Sequence, residues 1–172
     1  WPVTTWAAMS DDRKMVYGCM DVTGYPIYFD GHQVRMGGIG GVATLPPYRR
    51  QGAIRACMEA AFAEMYEEGM AFSALYPFST AFYRQFGFEN GARLCDWTLP
   101  LEGLPSAGPN GRVEQLFPGD DLSPLLEVYR QVYGGCNLSV LRKTYDPALE
   151  KDNFLNQQRY IFLWRDEAGA AR

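Results

Sequence analysis

The stretch from Val42 to Arg55, VATLPPYRRQGAIR, decides how the rest of the chain is read. A short apolar run stops at Pro46-Pro47, two arginines and a glycine follow, and a segment with helical spacing starts at once. Proline has no N–H to give to a ladder, so a strand arriving from Val42 cannot continue through it. A helix start leaves backbone N–H groups unpaired at the positive end of the helix dipole, where anions are held. Gly52 lets an anionic ligand approach the backbone closely. Arg49 and Arg50 stand where guanidinium groups can add charge-assisted bonds to phosphate oxygens. Two adjacent arginines alone read as solvated charges; the glycine at a helix start turns the reading towards phosphate.

Downstream, Ile54, Met58, Ala61, Phe62 and Met65 make one apolar stripe, so the spacing predicts a helix from Gly52 to about Gly69. Upstream, residues 15–29 read as a strand entering a turn at Asp30-Gly31, with 33–45 returning beside it. Gly37, Gly38, Gly40 and Gly41 resemble a nucleotide loop, but a strand follows them where a helix is required. They read instead as a bulged or closely approached strand. Ala71–Tyr76 and Leu94–Leu101 are expected strands, with Trp97 in the core, and Ser79–Gln85 a short helix capped by Ser79 or Thr80. This alternation predicts an α/β fold. LPSAGPNG, residues 104–111, reads as a linker. Beyond it a second amphipathic helix is expected around Leu122–Tyr133, capped by Ser123 and ended by Gly134, then a strand at Tyr160–Trp164 and a turn at Asp166–Gly169.

Bulk properties narrow the function. The 172 residues suffice for one domain with a sizeable core, burying roughly 70% of the unfolded surface. A net charge of −4 argues against nucleic acid, which demands clustered cations. No run of about 18 apolar residues predicts a membrane span, and no signal peptide is recognised, so the expected location is cytoplasmic. The four cysteines form no C-x-x-C pair, and His32 is the single histidine, so neither a metal site nor a Ser-His-Asp triad is expected.

Arg49 and Gly52 in the loop, together with LYPFSTAFYRQFGF at residues 75–88, resemble the motifs of the GNAT superfamily of N-acetyltransferases. That superfamily places an Arg/Gln-x-x-Gly-x-Gly/Ala loop between its central strand and a long helix. Ile54 departs from the small residue of the general pattern; GAIRACM, with Arg55, is similar to the Eis subfamily of aminoglycoside and lysine acetyltransferases. The resemblance implies a GNAT-type acyl-CoA N-acyltransferase fold, a central mixed sheet flanked by helices, and transfer of an acetyl group from acetyl-CoA to a primary amine, on a small molecule or a lysine side chain. It implies that Val42, Ala43 and Thr44 meet the pantetheine arm and that Arg49, Arg50, Gln51, Gly52, Ala53, Ile54 and Arg55 hold the pyrophosphate. Phe78 and Ser79 also touch the cofactor in this scheme, and Tyr83 protonates the departing thiolate; composition alone reads Tyr83 as a packing residue of an aromatic cluster. The subfamily's general base, a C-terminal carboxylate, has no counterpart at Arg172. The resemblance further implies a homo-oligomer and a fragment: residues 1–103 as the later part of one acetyltransferase domain, 104–111 as linker, and 112–172 as the start of a second, degenerate one. The competing expectation is a non-catalytic acyl-CoA-binding or assembly module.

Overall fold

The computed structural model describes residues 1–91, 95–100, 102–103, 110–144, 155 and 158–172. It divides into two compact units, Trp1–Leu94 and Cys95–Arg172.

In the first unit four strands, β1 (Val3–Met9), β2 (Val16–Phe29), β3 (His32–Thr44) and β4 (Met70–Leu75), lie side by side in chain order. The β1–β2 and β2–β3 pairs are antiparallel and β3–β4 is parallel, so the sheet is mixed, and with its helices it has the expected α/β architecture. Asp30 and Gly31 both take positive φ (46° and 80°) in a two-residue turn that pairs Phe29 with His32, the local backbone twist a tight hairpin requires. Parallel pairing needs a long crossover, supplied here by helix α1 (Ala53–Glu67).

The stripe expected on α1 forms the core. Ile54, Met58, Ala61 and Met65, with Cys57, are buried against Met20, Val22 and Ile39 of the sheet. Full burial of a side chain such as Met20 or Met58 contributes about 2 kcal/mol. Gly37 shows why a glycine lies in the middle of a core strand: a Cβ there would sit 2.1 Å from Met65 Sδ. Around Gly41 two residues of β3 face one of β2, a β-bulge, between the pairs Asp21–Gly40 and Cys19–Ala43. Both halves of the glycine reading are therefore present, close approach at Gly37 and a bulge at Gly41.

β1 was not foreseen. It is an edge strand with mostly exposed residues, so its alternation is weak. The strand expected at Leu94–Leu101 is a correction: Cys95–Pro100 are irregular and exposed, Trp97 is 83% exposed, and residues 94 and 101 lie outside the described residues. Apolar alternation makes a strand only where a ladder partner exists, and no described strand pairs with this segment.

The second unit pairs β5 (Gly111–Leu116) with β6 (Ile161–Asp166) antiparallel, and carries helix α3 (Ser123–Tyr133). Leu116, Leu122, Leu126 and Leu163 are buried. Residues 104–109 of the expected linker lie outside the described residues, and Gly111 is the first residue of β5. Gly134 ends α3 as expected, but Ser123 does not cap it. Leu122 holds the cap position, and the Asp121 carboxylate accepts from the Ser123 N–H (2.9 Å) and Oγ–H (2.7 Å). Those two bonds hold the Asp121 carboxyl below its usual range.

Candidate active site

β3 outruns its parallel neighbour. Their pairing ends at Ile39–Leu75, while β3 continues to Thr44, leaving Gly40–Thr44 without a β4 partner on that side. Where the strands part, an open cleft of about 910 Å³ lies against the first turn of α1. Val42, Ala43 and Thr44 form its strand wall, Arg49, Arg50, Gly52, Ala53, Ile54 and Arg55 its loop and helix end, and Phe78, from the segment after β4, also lines it.

The loop is shaped by its sequence. Pro46–Tyr48 make one 3₁₀ turn, and the Tyr48 N–H closes it on the Leu45 carbonyl at 2.9 Å. Arg50 (φ 62°) and Gly52 (φ 87°) then take left-handed backbone, and Gly52 becomes the N-cap of α1. Glycine has no side chain with which to cap, and the first turn of α1 contains no acid. The first α-helical bond runs from the Ala56 N–H to the Gly52 carbonyl at 3.0 Å. The N–H groups of Ala53, Ile54 and Arg55 are therefore left for a ligand or solvent at the positive end of the helix. Neither the Arg49 nor the Arg50 guanidinium has an ion-pair partner among the described residues. Arg55 is held: its Nη2 donates to Gln85 Oε1 at 2.6 Å, and its guanidinium lies 5.3 Å from the Phe86 ring centre.

Three of the expected site residues do not line the cleft. Gln51 turns back, its Nε2 donating to the Pro47 carbonyl at 3.0 Å, which braces the loop. Ser79 caps helix α2 (Thr80–Arg84), its Oγ accepting from the Phe82 N–H at 3.3 Å, as its sequence position predicts. Tyr83 is buried, 3% exposed, with its ring 5.1 Å from Phe82, 5.2 Å from Phe78 and 6.1 Å from Phe88. Burial pushes its phenol above the ordinary tyrosine value.

Four cleft residues escaped the sequence reading: Tyr48, Phe82, Gln85 and Phe86. A signal for three of them existed, since Phe82, Gln85 and Phe86 stand at i, i+3 and i+4, one face of a helical turn. Among the described residues no group of three or more His, Cys, Asp or Glu could hold a metal, and no helix is long and apolar enough to cross a membrane.

A family model for the acetyltransferase (GNAT) domain matches residues 4–91. No curated protein sequence matches the chain. Among solved structures, a conserved protein of unknown function from Enterococcus faecalis, described as a probable N-acyltransferase, superimposes with a TM-score of 0.80 at 23% identity. The match covers 98% of this chain and 43% of that one. The chain thus spans less than half the length of that protein. A candidate acetyl transferase from Pyrococcus furiosus gives a TM-score of 0.50 at 15% identity, covering 57% of this chain and 66% of its own. At such identities the likeness is one of fold.

Proposed function

The chain belongs to the GNAT acetyltransferase family, and on that premise we propose that it binds acetyl-CoA along the Val42–Arg55 cleft and transfers the acetyl group to a primary amine. The observation that carries this reading is the uncapped, acid-free start of α1, flanked by the unpaired Arg49 and Arg50 in an open cleft. An anion of the size and charge of a pyrophosphate fits that donor set.

Acetyl-CoA would supply a thioester, which activates the acetyl carbon towards an amine. The chain's part is to bind, orient and move protons. Backbone groups of Val42, Ala43 and Thr44, on the edge that β4 leaves open, are available to the pantetheine arm. Arg49, Arg50, Gly52, Ala53, Ile54 and Arg55 hold the diphosphate, Gln51 bracing the loop from behind. Phe78 contributes an exposed ring, and Ser79 sets the helix that follows. Tyr83 donates the proton that the leaving thiolate needs, the attacking nitrogen sheds its proton to solvent and Tyr83 regains one from solvent, so the exchange balances; its burial keeps the phenol protonated across the neutral range. The segments GAIRACM and YRQFGF support placing the chain with Eis-like enzymes, whose acceptors are aminoglycosides and lysine side chains. The strand, helix, strand order of residues 112–172 supports reading them as the opening of a second domain of the same type.

Acetyl-CoA titration and steady-state acetylation of amines, each with the parent chain and Tyr83→Phe, test this. The expected result is cofactor binding unchanged by Tyr83→Phe and turnover reduced by about 100-fold or more. Because the donating form is the neutral phenol and its pKa is raised, turnover should not fall from tyrosine ionisation until the pH exceeds about 10. Unchanged turnover in Tyr83→Phe removes that residue from the mechanism. Cofactor binding with no acetylation of any amine favours the second reading, a non-catalytic acyl-CoA-binding module, which the placement of Tyr83 outside the cleft wall supports.

A further inference from the structure

The proposed reaction needs a place for the acceptor nitrogen, which arrives at neutral pH as an ammonium ion. The arginine-lined cleft is the wrong sign for it. Asp21 is the single carboxylate in strands β1–β4, and nothing in the scheme above uses it. It alternates along β2 with Met20 and Val22, which are buried in the core with α1, so it lies on the sheet face away from that helix. Its Oδ1 accepts from the Thr5 Oγ–H at 2.6 Å, which fixes the carboxylate from β1. Its Oδ2 points at the bulge of β3: a Cβ on Gly41 would lie 2.8 Å from it.

Gly41, at φ 60°, immediately precedes Val42, the first cleft-lining residue of β3. A Cβ on Gly40, which pairs in register with Asp21, would meet no atom within 4 Å. Both glycines are exposed and Asp21 is half-buried. Two consecutive residues without side chains thus separate a carboxylate from the end of the cleft wall. Asp21 has no ion-pair partner among the described residues. A bond made only to hold β1 against β2 accounts for Oδ1. It does not account for Oδ2, which takes no hydrogen bond or ion pair among the described residues and lies beside a side-chain-free bulge.

Resting on the acetyltransferase reading, we propose that Asp21 is the subsite that receives the ammonium group of the acceptor. The three N–H donors of a primary ammonium can bond Oδ2 beside Gly40 and Gly41, where no side chain stands, the charge-assisted bond favours the cation over a neutral analogue, and the bound nitrogen attacks the thioester only after giving one proton to solvent.

The test titrates the full chain, with and without saturating CoA, with 1,5-diaminopentane and with 1,5-pentanediol as the uncharged control. The diamine should bind and the diol should not. Asp21→Asn, which keeps the acceptor for Thr5, should weaken the diamine by about tenfold or more while acetyl-CoA affinity stays constant. Asp21→Glu retains the charge and should keep diamine binding within a few-fold of the parent, which separates loss of charge from loss of fold. Diamine binding that ignores Asp21→Asn, or equal binding of diamine and diol, overturns the subsite. A parent chain that binds no acetyl-CoA overturns the acetyltransferase reading instead, and the CoA-free titration still decides the role of Asp21.

Discussion

Between Arg49 and Ala53 the chain leaves polar groups unsatisfied, whereas between Phe78 and Phe88 its large side chains close on one another. In the loop, helix N–H groups have no side-chain cap and two guanidinium groups have no carboxylate partner among the described residues. In the aromatic segment, Phe78, Phe82, Tyr83, Phe86 and Phe88 form a chain of ring contacts with centres 5.1–6.1 Å apart. Both contribute to one cleft. Their difference teaches where binding and stability reside. The loop's exposed N–H and guanidinium groups bond solvent until an anion replaces it, so the loop should govern affinity; the packing of the rings around buried Tyr83 contributes whether or not a ligand is present, so the aromatic segment should govern folding.

The division can be broken most forcefully at Tyr83. Truncation to alanine leaves a hole among three rings and should lower unfolding free energy by about 3 kcal/mol or more in a denaturant titration. A loss below about 1 kcal/mol would mean that the rings pack too loosely to support anything. Next in size is Gly52→Asp, which sets a negative charge at the uncapped start of α1. Acetyl-CoA affinity should fall by at least about 100-fold, near 2.7 kcal/mol. Gly52→Asn sharpens this test, because asparagine tolerates left-handed backbone and carries no charge. Equal losses in the two variants would show that shape and not electrostatics closes the site. The smallest effect belongs to Ser79→Ala, which removes the α2 cap and should cost about 1 kcal/mol of stability. If it instead weakens acetyl-CoA with stability intact, Ser79 belongs with the loop.

Much of this was legible in the chain because its causes are local. The Pro-Pro stop, the Asp30-Gly31 turn, the Ser79 cap and the stripe on α1 each depend on a few neighbouring residues. The loop residues around Gly52 were legible for the same reason, since a helix start offers its N–H groups whatever surrounds it. What misled was alternation without knowledge of a partner. Trp97 and Leu99 have the spacing of a strand and lie exposed, while Val3–Met9, with poorer alternation, pairs along its whole length with β2. Ser123 misled for a smaller reason: Asp121, two residues earlier, takes the Ser123 N–H, and α3 begins with Ser123 inside it.

By itself, then, the sequence determined the α/β alternation, the loop that ends in the glycine-capped start of α1, and membership of a family whose motif spans that loop, all properties of short contiguous segments. Only the tertiary structure decided that β3 outruns β4 and so opens a cleft, that Gln85 and Phe86 hold Arg55 across it, and that Tyr83 is buried among rings outside the cleft wall. It also set Asp21 beneath the bulge at Gly41, twenty residues away along the chain. These depend on register and on which faces meet. Register between strands is settled by the summed packing of whole faces, which no local pattern specifies.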